Sequence, residues 1–273
     1  MLTRILVAAV GAPLIILVFF FFPPIAIPIA VSILSMIAVH EVLWSTGFVK
    51  NARLSGYSIA LAGAIPFWVY FGQETLPALC ALFAYFVLVF AEAISSHYTV
   101  TVEKMGGSFF FAAFIPYFLS TFTRLDQMEY GKFLILTPLI AAFLSDAFAL
   151  FAGMLFGKHK LAPELSPKKT VEGSVGGFLG AALGMVVYGL VIRSFFYFQV
   201  DFPLLVLYGL LGSLAAQVGD LSFSYIKRQY HLKDYGNIFP GHGGVLDRFD
   251  SVIFCAPLIE ILWRVLPAVK MIG

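Results

Sequence analysis

Apolar residues run along this chain in long unbroken stretches divided by short polar clusters, the pattern of helices that cross a bilayer and not of strands with alternating polarity. Crossing the hydrocarbon takes roughly 20 apolar residues per helix. Cutting the sequence at its polar clusters predicts about nine spans, near 4–22, 24–43, 56–72, 75–96, 108–123, 132–156, 173–196, 201–225 and 250–269. The second and the short fifth are candidates for bent or partly inserted segments. The run from Ile5 to Phe22 lacks a small-residue cleavage site and leads into Pro23-Pro24 and more apolar sequence, so it reads as a span and not as a signal peptide. The expected fold is all-α, a polytopic integral membrane helical bundle. It parses into N-terminal transmembrane helices (1–96), middle helices with a basic loop (97–172) and C-terminal helices carrying the polar motifs (173–273).

Composition sharpens this picture. Hydrophobic residues make up 60% of the chain and charged ones only 12%, so the bilayer is its solvent. A net charge of +2 gives no footing for nucleic acid as a partner. Cys80 and Cys255 both fall in apolar runs, where a thiol behaves as a small hydrophobe. What matters is where the charges sit. With nine spans, Arg4 and the loops holding Lys50, Arg53, Lys104, Lys158, Lys160, Lys168, Lys169, Lys227, Arg228, Lys233 and Arg248 share one side, which collects 12 of the 17 basic residues. The positive-inside rule makes that side cytoplasmic, with the N-terminus inside.

Chemistry needs polar residues, and only the loops near 157–172 and 226–249 are rich in them. On a helix leaving the membrane, Asp220, Ser224 and Lys227 project from one face at about 100° per residue, with Arg228 beside them. A tight segment follows, Pro240-Gly241-His242-Gly243-Gly244, whose backbone N–H groups are open to the approach of an anion. The next helix would aim its positive end at the same place, and Asp247 and Asp250 share its first turn with Arg248. Carboxylates facing one wet pocket repel unless a cation sits between them. Oxygen-only ligands suit magnesium, which keeps several waters and bridges phosphates.

Ser224-x-x-Lys227-Arg228, Lys233-Asp234, the Pro-Gly-His-Gly-Gly element and Asp247-Arg248-x-Asp250, in this order, closely resemble the signature of the phosphatidate cytidylyltransferase (CDP-diacylglycerol synthase) family. Ser166-Pro167-Lys168-Lys169-Thr170-Val171-Glu172-Gly173, with Asp146 in the helix before it, is similar to the family's second marked region. A bare Gly-His-Gly-Gly would carry little weight. The resemblance is sharp over the C-terminal half and one of character only over the N-terminal half.

The resemblance implies an enzyme that joins CTP to phosphatidic acid, giving CDP-diacylglycerol and pyrophosphate, in a bacterial inner membrane with its site toward the cytoplasm. It implies Mg2+, with a second cation in the same cluster left open. Asp220 and Asp247 are the expected main ligands, with Asp250 and Asp146 as helpers. Lys168, Lys169, Lys227, Arg228 and Arg248 are expected on phosphates, with Ser224, Lys233, His242, Gly243 and Gly244 also lining the nucleotide. His242 more simply orients a carboxylate or bonds a phosphate than moves a proton, because the nucleophilic phosphate is already largely ionised. A homodimer is expected by analogy and by the frequency of two-fold assemblies, with no interface to name.

Several features have plainer readings. Asp146 in an apolar run costs about 2.5–3.5 kcal/mol on insertion scales unless it meets a partner or a wet cavity, which favours function over a structural ion pair. Lys158, His159 and Lys160 fit topology or attraction to anionic lipid and stay outside the site. Gly176, Gly180 and Gly184 fit close helix packing. Glu41 and Glu92 read as interface or packing residues, and Glu260 stays open. Two rivals remain. A CTP-dependent lipid kinase would attack the γ-phosphorus instead, and a transporter would show a duplicated hydropathy pattern, of which there is no convincing trace.

Overall fold

The structure, a computed structural model, describes residues 17, 19–72, 76–236 and 243–271. Seven helices among them are long and apolar enough to cross a membrane. The chain is an all-α polytopic membrane protein, with two short antiparallel strand pairs. Most of the segment expected at 4–22 lies outside the described residues, and the last expected span coincides with a helix, Leu246–Val265, that is not among the seven. Contacts divide the chain into two compact units, 1–132 with 229–249 and 133–228 with 250–273.

The first unit contains α1 (Ala26–Ser45), α2 (Ala52–Phe71), α3 (Leu76–Ser95), α4 (Val102–Leu119) and α5 (Thr121–Asp126). Helix α2 packs on α1, α3 and α4. Its start is fixed by Asn51, whose side chain accepts from the amides of Arg53 and Leu54 at 2.9 and 3.0 Å. Its end is released by Gly72 in the left-handed region, φ 60°. The segment 108–123 is divided at Ser120, which ends α4 and begins α5; its hydroxyl donates to the carbonyl of Pro116 at 2.7 Å. Helix α3 turns Leu76, Leu79, Phe83, Phe90 and Ile94 outward, an arrangement that costs nothing where the surroundings are acyl chains. Its buried Glu92 is tied to α2 by Asn51 Nδ2 at 2.7 Å and Arg53 Nη1 at 3.3 Å, a packing role.

The short α6 (Gly131–Leu134) leads into the second unit, which holds α7 (Thr137–Phe156), β1 (Lys160–Ala162), β2 (Ser166–Thr170), α8 (Val171–Phe196), β3 (Phe198–Val200), α9 (Phe202–Gln229), α10 (Leu246–Val265, its first turn in the first unit) and β4 (Val269–Met271). Helices α7 and α8 run in close contact. A Cβ on Gly176, Gly180 or Gly184 would strike Ala152, Phe148 or Leu144 of α7, so these glycines let the two backbones approach. Polar side chains on the apolar helices are matched to one another. Ser145 and Ser213 hydroxyls meet at 2.7 Å, and Gln217 Nε2 donates to Ser213 Oγ at 3.1 Å and to the Ser174 carbonyl at 3.2 Å, linking α7, α8 and α9. Trp263 Nε1 donates to Thr137 Oγ1 at 3.0 Å. Glu260 is paired with Arg264 one turn on, 2.9 Å away. Cys80 and Cys255 are free thiols, the latter buried.

Candidate active site

The C-terminal end of α9 carries three of the expected side chains on one face. Ser224 Oγ donates to Asp220 Oδ1 at 3.3 Å, the contact that a spacing of four makes on a helix. Lys227, one turn further, is buried despite its charge. From the end of β2, Lys169 brings its Nζ to 2.5 Å from Asp220 Oδ2. Strand geometry selects which lysine does this. Successive side chains of β2 point to opposite faces, so Lys168 is exposed while Lys169 turns in. Thr170 then ends the strand by capping α8, accepting from the Gly173 amide at 3.1 Å. It sits where glycines leave room: a Cβ on Gly153 would lie 3.0 Å from Thr170 Oγ1, and one on Gly173 2.9 Å from it. Arg228 is anchored by its Nε to the Leu165 carbonyl at 3.1 Å.

Asp146 of α7 has a partner that the sequence reading passed over. Ser251 Oγ donates to Asp146 Oδ2 at 2.9 Å, and lies 3.4 Å from Asp250 Oδ1, which also accepts the Ser251 amide at 2.8 Å. One hydroxyl has one proton, and the shorter contact takes it. Asp250 is buried and feels the like charges of Asp220 and Asp146 and the opposite charge of Lys227. The second unit therefore gathers Asp146, Asp220 and Asp250 with Lys169 and Lys227, a cluster in which cations offset carboxylate repulsion. The signal for Ser251 was available, since a carboxylate in an apolar run demands a donor.

Among the described residues, no three His, Cys, Asp or Glu side chains form a ready-made cage for a metal. The donors present are carboxylate oxygens alone. That chemistry fits an ion that takes one or two carboxylates and fills its shell with water and phosphate oxygens, as magnesium does.

In the first unit, Asp247 Oδ2 accepts from the amides of Tyr235 at 2.7 Å and Gly244 at 3.0 Å. Gly243 takes φ 82°, where any side chain is strained, and its Cβ would lie 2.7 Å from Asp247 Oδ2. The first amides of α10 meet a second carboxylate: Glu41 of α1 accepts from Val245 at 2.9 Å and Leu246 at 2.8 Å. The positive end of α10, expected to face substrate phosphate, is thus engaged by Glu41. Lys233 and Arg248 are exposed. Pro240, Gly241 and His242 lie outside the described residues.

The run Lys158 to Lys160 has a local structural part. Glu172 accepts from the amides of Lys158 at 3.1 Å and His159 at 3.2 Å, and the His159 ring nitrogen Nδ1 lies 2.6 Å from Glu172 Oε1. This closes the turn between α7 and β1.

Residues 2–266 match the sequence profile of the cytidylyltransferase family. A phosphatidate cytidylyltransferase of Thermotoga maritima is 30% identical over 269 residues, covering 98% of this chain and 97% of the relative. One of Bacillus subtilis is 37% identical over 183 residues, 67% of this chain and 66% of the relative. One of Rickettsia felis is 38% identical over 177 residues, 63% of this chain and 77% of the relative.

Proposed function

The chain belongs to the cytidylyltransferase family, and from that membership we propose that it transfers the cytidylyl group of CTP to phosphatidic acid within the membrane. A phosphate oxygen of the lipid attacks the α-phosphorus of CTP. The bond from that phosphorus to the bridging oxygen breaks, and pyrophosphate leaves with the electron pair. Both the nucleophile and the leaving group are already anionic, so no strong base is required and charge neutralisation carries the rate. The observation that supports this best is the cluster of Asp146, Asp220, Asp250 and Lys227, drawn from three helices, with Lys169 reaching in from β2.

Within this reading Asp220, with Asp250 and Asp146, offers carboxylate oxygens to magnesium, and Asp247 is retained as a ligand through its place in the Asp-Arg-x-Asp element. When bound, the ion neutralises triphosphate oxygens and polarises the α-phosphorus. Lys169 and Lys227 hold phosphate oxygens, with Arg228, Lys168 and Arg248 at the margin, and Ser224 keeps Asp220 turned toward its partners. The basic residues of the polar loops support a cytoplasmic site, where CTP is made, in the inner membrane of a bacterium.

The deciding experiment incubates the purified protein in detergent with labelled CTP, phosphatidic acid and magnesium. Pyrophosphate and CDP-diacylglycerol are the expected products. Release of CDP with a newly phosphorylated lipid alcohol, or no lipid-dependent turnover of CTP, would overturn the proposal.

A further inference from the structure

Glu41 reads from the sequence as an interface or packing residue, yet the last turn of α1 that carries it holds both flanks of the glycine segment. Glu41 and Ser45 are four apart and so share a helix face. Ser45 Oγ donates to the Tyr235 carbonyl in a short contact on the upstream flank. On the downstream flank Glu41 spends both carboxylate oxygens on the consecutive amides of Val245 and Leu246. The side chain is 4% exposed, and the positive end of α10 is what makes a carboxylate welcome there. Glycine is needed on both flanks. A Cβ on Gly236 would lie 2.6 Å from Glu41 Oε1, and one on Gly244 would collide with the whole carboxylate.

Asp247 is held by the same two flanks, through the amides of Tyr235 and Gly244. Two carboxylates therefore divide one short stretch of backbone, Glu41 fixing the amides of Val245 and Leu246 and Asp247 reading the amide just before them. We propose that Glu41 is a positioning residue of the cytidylyl transfer, clasping the flanks of the glycine segment so that Asp247 stands where the reaction needs it. This rests on the assignment of Asp247 to the active site. It differs from simple helix capping in one respect: a cap need only stabilise α10, whereas a clasp must set the turnover number through a residue that touches no substrate.

The test uses the full-length protein in detergent and two readouts, kcat and amide hydrogen exchange over 243–247. Glu41→Ala should raise exchange in that segment about tenfold and lower kcat by about 10- to 100-fold, the scale of losses when a reacting group is misplaced by an ångström. Glu41→Gln, which keeps one acceptor oxygen, should fall between Glu41→Ala and wild type in both. Gly236→Ala should lower kcat in the wild-type background and add less in the Glu41→Ala background, because the closest atoms it would strike, those of the Glu41 carboxylate, are gone and only the Gly244 Cα at 3.1 Å remains. If Glu41→Ala does not insert, Glu41→Gln and Gly236→Ala carry the same comparison. Faster exchange with unchanged kcat means a structural cap and overturns the proposal, as does unchanged exchange. Full activity in Asp247→Asn would instead remove the underlying assignment, while the exchange data would still decide whether the clasp exists.

Discussion

Lys169 Nζ stands 2.5 Å from Asp220 Oδ2, shut away from solvent and held as an ion pair without the alignment of a hydrogen bond. A cation so placed stands next to the carboxylate that the proposed function puts at the nucleotide. Under the proposed function it would exchange partners when phosphate arrives without being solvated anew, which keeps reorganisation small. Lys169→Met should lower kcat/KM for CTP by about 100-fold. Lys168→Met, on the exposed face of the same strand, should cost less than about 10-fold, within what a screened surface charge is worth. Equal losses in steady-state kinetics would refute the division of labour between the two lysines.

Asp220→Asn removes a charge that both Lys169 and Ser224 address. Turnover should fall by at least about 100-fold and should not recover at saturating magnesium. Chelation of divalent metal should silence the wild-type protein, and added magnesium should restore it. Activity that survives exhaustive chelation would argue against the ion.

Ser251→Ala takes away the 2.9 Å donor of Asp146. A hydrogen bond to a charged group is worth about 1.5–3 kcal/mol, and because Asp146 is exposed the loss should fall at the lower end of that range. A lowered thermal unfolding midpoint in detergent is expected, together with a loss of turnover that Ser251→Thr largely repairs. An unchanged midpoint would show that Asp146 does not depend on this hydroxyl.

Gly180→Val drives a side chain into Phe148 across the α7–α8 seam and should destabilise the second unit by about 1–3 kcal/mol. Gly106 of α4 offers the control, since a Cβ there meets nothing within 4 Å. Gly106→Ala should be neutral or slightly stabilising, by up to about 1 kcal/mol, through backbone entropy alone. Chemical or thermal unfolding of the two variants side by side checks the contrast.

Most of the architecture was legible because a bilayer leaves so little choice: unbroken apolar runs must become helices. The Asp220 and Ser224 stripe was legible for a similar reason, since helical periodicity alone brings side chains four apart together. Glu41 was not. Its partners are backbone amides some two hundred residues away, and main-chain donors leave no mark on a sequence. Ser251 was missed because a serine beside an aspartate is commonplace until Asp146 is seen to need its proton. The interruption at Ser120 and the separate standing of α10 depend on a proline, a hydroxyl and five charges whose combined effect hydropathy does not resolve.

Thr170 rests in a niche that Gly153, Gly157 and Gly173 leave open, and Lys169 is its immediate neighbour. The direction in which that lysine departs the strand is consequently inherited from how tightly two helices lie together at residues that carry no side chain at all. Evolution can therefore re-aim Lys169 by exchanging small residues for slightly larger ones along this seam, leaving every ionised group in place.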